Sequence, residues 1–139
     1  MTMTVVADAL KKRGFRVTAP RISIFNVLQK ASYPMSVQEV KMGTKGVDTV
    51  TVYRTLEAFK RVGLVAQVDL QLGRALYELK EGKSDHHHIV CVSCKRIEDF
   101  TGCDYQPIAR QALKKSKGFA KIISHSLELF GLCALCATK

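Results

Sequence analysis

The sequence predicts an α+β protein: a winged helix-turn-helix domain over residues 1–80, then a metal-built α/β domain over 81–139 with a three-stranded sheet. Three observations predict it. All five cysteines and all four histidines lie after residue 80. Residues 1–80 hold 13 basic and 6 acidic side chains, net +7, whereas residues 81–139 hold 9 and 6, net +3. The first part also reads as four short helical patterns followed by two extended runs, whereas the second opens on a β-branched, His-rich run.

A chain of 139 residues with 47% hydrophobic and 24% charged residues has the globular mix, not the disordered one. Its apolar runs are all far shorter than the ~20 residues a membrane span needs. The N-terminus has no basic segment leading into an apolar one, so a cytoplasmic address and no membrane partner are expected. A basic domain there most often meets nucleic acid; the plain alternative is that its charge only keeps it soluble.

Met3 to Arg13 offers apolar Val5, Val6, Ala9 and Leu10, with Lys11, Lys12 and Arg13 at the end that suits cations, and Gly14 stops it. Thr18 as N-cap with Pro20 in the first turn opens a second helix, whose buried stripe is expected to be Ile22, Phe25, Val27 and Leu28. Ser36 and Glu39 have capping-box spacing and start a third helix, running to about Thr44. Asp48 caps a fourth over Thr49 to Arg61, closed by Gly63. That helix turns Val52, Leu56 and Phe59 inward, and Thr51, Tyr53, Arg54, Glu57, Lys60 and Arg61 outward. Two extended runs, Leu64 to Leu70 and Arg74 to Leu79, then form a hairpin with Gly73 in its turn.

In a winged helix the helix after the turn enters the major groove of double-stranded DNA. Thr51, Tyr53, Arg54 and Lys60 on that helix, with Lys11, Lys12 and Arg13, are the candidate DNA-binding residues. An ordinary solvated helix face is the alternative.

The second half carries Cys91-Val-Ser-Cys94 and Cys133-Ala-Leu-Cys136. Two CxxC pairs in a reducing compartment read as four thiolates around a structural zinc (Zn2+). The rival from another class is a small zinc-stabilised redox protein that uses its CxxC pairs as dithiols. Cys103 is expected to be a small buried hydrophobe. In the strand expected at Asp85-His86-His87-His88-Ile89-Val90-Cys91, alternation puts His86 and His88 on one face and Asp85 and His87 on the other. Asp99 falls on a neighbouring strand, and His125 on a third extended run, Ile122 to Phe130. Imidazoles with carboxylates suit Fe(II), Mn(II) or Zn(II). No nucleophile elbow, phosphate-binding glycine loop or HExxH helix is present, so an enzyme is not expected.

Taken in order, Thr51-Val-Tyr-Arg-Thr-Leu56, Asp85 through Cys94, and His125 through Cys136 resemble the ferric uptake regulator family, a likeness running from about Leu10 to Cys136. The resemblance implies a homodimeric, metal-dependent transcriptional repressor of operator DNA, in which residues 81–139 form the dimerisation domain. It implies the structural zinc on Cys91, Cys94, Cys133 and Cys136, and DNA contact by Tyr53 and Arg54. It implies a regulatory site for Fe2+ or Mn2+, with Zn2+ possible, on Glu78, His86, His88 and Asp99. It implies an additional site on Asp85, His87 and His125, with Asp104 standing where the family takes a Glu from the next helix.

Three departures are visible. Tyr33-Pro-Met-Ser36 lacks a His that the family often adds to the regulatory site. The stretch Cys103-Asp-Tyr-Gln106 lacks the family's Glu. Asp99, where iron sensors commonly have Glu, tilts toward the peroxide-sensing branch. The zinc-sensing branch places a Cys near Glu78, which this chain does not; a haem-responsive branch shares the His triplet.

Overall fold

A computed structural model describes residues 3–80 and 86–139. The chain is α+β and divides into two compact units, Met1–Lys83 and Ser84–Lys139.

The first unit runs α1 (Met3–Lys12), α2 (Ala19–Lys30), α3 (Val37–Gly43), α4 (Thr49–Arg61), then β1 (Val65–Val68) and β2 (Leu76–Leu79). Two helices end in the same way. Gly14 and Gly63, at φ +87° and +77°, take the left-handed turn, and Phe15 N–H and Leu64 N–H reach back to the carbonyls of Leu10 and Phe59 at 2.9 Å each. That reversal brings the rings of Phe15 and Phe59 edge to face, 5.2 Å apart. Asp48 caps α4 by accepting Thr51 N–H at 2.7 Å, and the capping box of α3 is complete, with Ser36 Oγ accepting Glu39 N–H and Glu39 Oε1 accepting Ser36 N–H.

Val52, Leu56 and Phe59 of α4 pack fully buried against Ile24, Phe25 and Leu28 of α2 and Leu10 of α1. Each such side chain contributes about 1.5–3 kcal/mol of burial. β1 and β2 pair antiparallel, with Ala66 opposite Glu78, and Met35 adds a one-residue bridge to Tyr77. The Tyr77 hydroxyl donates to Glu57 at 2.8 Å, tying the hairpin to α4.

Two expectations are corrected here. Thr18 is the N-cap residue of α2, its carbonyl accepting Ile22 N–H at 3.0 Å, but its side chain makes no cap: Pro20, the second residue of α2, lacks one of the N–H groups a cap could bind. The stripe of α2 centres on Ile24, Phe25 and Leu28, with Ile22 and Val27 only partly buried, because the helix carries more apolar residues than one face holds. The capping box supplies a test. Ser36→Ala is expected to lower the stability of this unit by about 1 kcal/mol, read as a lower urea midpoint at unchanged m; an unmoved midpoint would mean the cap contributes nothing.

The second unit runs β3 (His87–Cys91), β4 (Ile97–Phe100), α5 (Gln106–Lys115), β5 (Glu128–Gly131) and α6 (Ala134–Ala137). Its sheet has the order β4-β3-β5, with β4 antiparallel and β5 parallel to β3. The third extended run is shorter than expected. Only Glu128–Gly131 is strand, paired with His88–Cys91, so His125 lies in the irregular segment before it.

Candidate metal centres

Parallel register puts Cys91 opposite Gly131, two residues before Cys133, and so brings the two CxxC pairs together. Cys91 closes β3, and the chain reverses through Lys95, held at φ +69° with its N–H on the Cys91 carbonyl at 2.9 Å. The Cys91 thiol accepts N–H groups from Cys133 at 3.4 Å and Cys94 at 3.5 Å. Those two backbone donors lower its pKa to about 5. Cys133 is lowered too, chiefly by the backbone N–H of Cys136. Cys136 goes the other way: Ser93 pulls it down, but the Cys133 thiol, burial and the remaining thiols outweigh that and raise it to about 11. Like charges crowded together cannot all ionise without a cation among them. The ligand atoms of Cys91, Cys94, Cys133 and Cys136 all lie within 4.8 Å of one another, and Cys94 Sγ is 3.8 Å from Cys133 Sγ. Sulfurs on a tetrahedral zinc, at ~2.3 Å each, stand about 3.8 Å apart. The tetrad fits zinc as one cluster, not two separate dithiols.

Paired residues on neighbouring strands project from the same face of a sheet. His88 is buried, with Asp99 opposite it on β4 and Glu128 opposite it on β5. His88 Nε2 lies 3.5 Å from Asp99 Oδ1, and the rings of His86 and His88 stand edge to face at 5.0 Å. His86, His88 and Asp99 are thus brought together within this unit. Glu78 is placed half-buried on β2 of the first unit. Glu128, not among the expected ligands, adds a second carboxylate to the row; its signal was the alternation of Ser126-Leu-Glu-Leu-Phe130.

The opposite face of β3 carries His87. Its Nε2 is 3.1 Å from Nε2 of His125, and Cys103 offers a thiol within 4.8 Å of both. Cys103 is half-buried within this group, not packed away as a hydrophobe. Asp104 turns elsewhere, accepting Gln106 N–H at 3.2 Å at the start of α5. The expected neighbour is therefore replaced by the one before it, because Gly102 at φ +83° turns the chain so that residue 103 joins the imidazoles. Asp85 lies outside the described residues.

In the first unit, Tyr53 is half-exposed and Arg54 exposed on α4, and Lys11 and Lys12 are exposed at the end of α1. Thr51 is half-buried at the start of α4. Lys60 is engaged with Glu57 at 3.3 Å and Gln67 at 2.8 Å. Arg13 donates to the Val62 carbonyl at 2.7 Å, which satisfies the end of α4. Arg16 and Arg21, absent from the sequence expectations, line a cleft with Thr18, Thr51 and Thr55.

The sequence model of the Ferric uptake regulator family matches residues 12–130. The chain belongs to the ferric uptake regulator family. With membership comes its general nature, a metal-responsive DNA-binding regulator of transcription. The ferric uptake regulation protein of Cupriavidus metallidurans is 33% identical over 129 residues, covering 89% of this chain and 88% of that one. The ferric uptake regulator of Francisella tularensis, solved with iron, is 30% identical at TM-score 0.71, covering 89% and 96%. That of Pseudomonas aeruginosa, solved with manganese, is 30% identical at TM-score 0.69, covering 94% and 98%. Within the family frame, the thiol tetrad, the His86/His88/Asp99 row and the His87/His125 pair are three separate donor sets of differing chemistry.

Proposed function

We propose that this family member is a homodimeric repressor, a non-enzyme acting in the cytoplasm, that binds operator DNA when Fe(II) or Mn(II) occupies the site built on His86, His88 and Asp99. The observation that carries the reading is the buried His88, 3.5 Å from Asp99 and ring to ring with His86. Imidazole and carboxylate donors suit these ions, and relatives of the same family have been solved with iron and with manganese. The resemblance adds Glu78 to this ligand set. Zinc on the cysteine tetrad is the structural ion.

The first unit is read as a winged-helix DNA-binding domain: three helices, then α4 presenting Tyr53 and Arg54, then a hairpin extended by the Met35–Tyr77 bridge. Thr51, with Arg16 and Arg21 of the cleft it lines, extends the reach of α4 to phosphate, and Lys11 and Lys12 add exposed cations at the end of α1. Lys60 and Arg13, which also brace α4 through Glu57, Gln67 and the Val62 carbonyl, belong to the same candidate DNA-binding set. The second unit is read as the dimerisation domain. Ile89 and Leu129, register partners, are each 42% exposed, and Ile108, Phe119 and Ile123 are 70%, 74% and 84% exposed. A second copy would cover this apolar surface.

Metal acts by shifting the population toward the DNA-competent form, and only by its greater affinity for that form. The test uses full-length protein that keeps its tightly held zinc, with a duplex selected from a random pool. Added Mn(II) is expected to tighten binding about 5- to 150-fold; equal affinity with and without it would defeat the reading. In the same assay Arg54→Ala is expected to weaken binding and to reduce the salt slope by about 0.9, one phosphate's worth. An unchanged slope would place Arg54 away from the DNA backbone.

A further inference from the structure

We propose that, at the additional site the resemblance already implies on His87 and His125, Cys103 rather than Asp104 is a ligand, which gives the site a thiolate and suits it to a zinc-class divalent ion. The two Nε2 atoms are 3.1 Å apart. Imidazole nitrogens bound to one tetrahedral zinc at ~2.0–2.1 Å stand about 3.3 Å apart. A bare hydrogen bond between two neutral imidazoles has a similar length; the third donor separates the two cases. The Cys103 sulfur, His87 and His125 all present ligand atoms within 4.8 Å of one another. The three donors come from β3, from the turn after β4 and from the segment before β5, so only the folded unit assembles them.

Both imidazoles are framed by aromatic rings. Tyr105 stacks on His125 at 3.9 Å and 22°, and Phe100 lies 5.5 Å from His87. Rings so packed hold ligand orientation, as the supporting residues of a metal site do. Among the described residues three donors meet here, one short of a tetrahedral set.

The donor chemistry decides the ion. Cys103 is a soft ligand, and thiolate with imidazole favours Zn(II) over Mn(II) or Fe(II). His86, His88 and Asp99, on the other face of β3, offer no sulfur. The same strand thus carries two sites of different preference, one facing each way.

The test uses the full chain with its tetrad zinc retained, labile ions stripped by chelator and thiols kept reduced. Co(II) is then titrated in, and zinc content is measured alongside. Near-ultraviolet thiolate-to-cobalt charge transfer is expected in the wild type and in His88→Ala, and its loss in Cys103→Ala. Absence of that band from the wild type, or its survival in Cys103→Ala, would overturn the proposal. A measurement on the unaltered protein removes any dependence on the variant folding. Alkylation of Cys103 by iodoacetamide, followed by peptide mass spectrometry, is expected to slow about tenfold with Zn(II), as ~90% occupancy of the thiolate requires, and far less with Mn(II). Equal rates with and without Zn(II) would count against it. Failure of the repressor reading would instead appear as metal-independent DNA binding, which leaves these signals untouched.

Discussion

Cys133→Ser is expected to abolish zinc retention and unfold the second unit, while the first unit keeps its own melting transition. Within a single chain the second unit has little else to hold it. Among the described residues its buried side chains are His88, Val90 and Cys91, and neither α5 nor α6 buries any. At about 1.5–3 kcal/mol per buried large apolar side chain, that core does not offset the cost of ordering the backbone. A structural zinc contributes on the order of 10–16 kcal/mol, so the tetrad holds this unit together more than its packing does. The first unit, by contrast, has a cluster of fifteen buried residues from Val6 to Leu79. Zinc content by elemental analysis, with two-dimensional amide NMR, separates the outcomes. A zinc-free variant that retains the second unit's resonances would show that packing, not metal, holds the sheet.

His88→Ala is expected to remove the metal response while leaving metal-free DNA affinity as it was. His88 lies within the sheet, between the strands bearing Asp99 and Glu128, so its loss removes the central imidazole of the row. The about 5- to 150-fold gain on adding Mn(II), worth ~1–3 kcal/mol, should fall to near unity. Asp99→Ala should reduce the gain less, because a carboxylate that is one-third exposed is more easily replaced by water. Fluorescence anisotropy on the selected duplex reads both; a full response in His88→Ala would remove that residue from the regulatory site.

Local rules made much of the fold legible. The ends of α4 were set by Asp48 and Gly63, and its buried and exposed faces followed from 3.6-residue periodicity. The Ser36–Glu39 box behaved likewise. The grouping of the four cysteines was also legible, because CxxC spacing delivers two ligands from one turn. What failed were statements that depended on particular neighbours. Thr18 met a proline where an N–H was needed. Lys60 and Arg13 also bind Glu57, Gln67 and the Val62 carbonyl, contacts that the sequence did not announce and that leave both in the candidate DNA-binding set. Asp104 was expected beside His87 and His125, where Cys103 lies instead, because the direction of a side chain after a glycine at positive φ depends on the backbone path.

The helices, the hairpin, the two ligand-bearing CxxC turns and the alternation that sends His86 and His88 one way and His87 the other are written in the order of residues, because all of these arise from contacts within a few residues or from strict strand periodicity. That Glu128 flanks His88, and that Cys103 meets His87 and His125, emerges only when the chain is packed. Both depend on the register of β5 against β3 and on the turn after β4, and register between distant strands is set by the packing of whole side-chain rows, which no short stretch of sequence encodes.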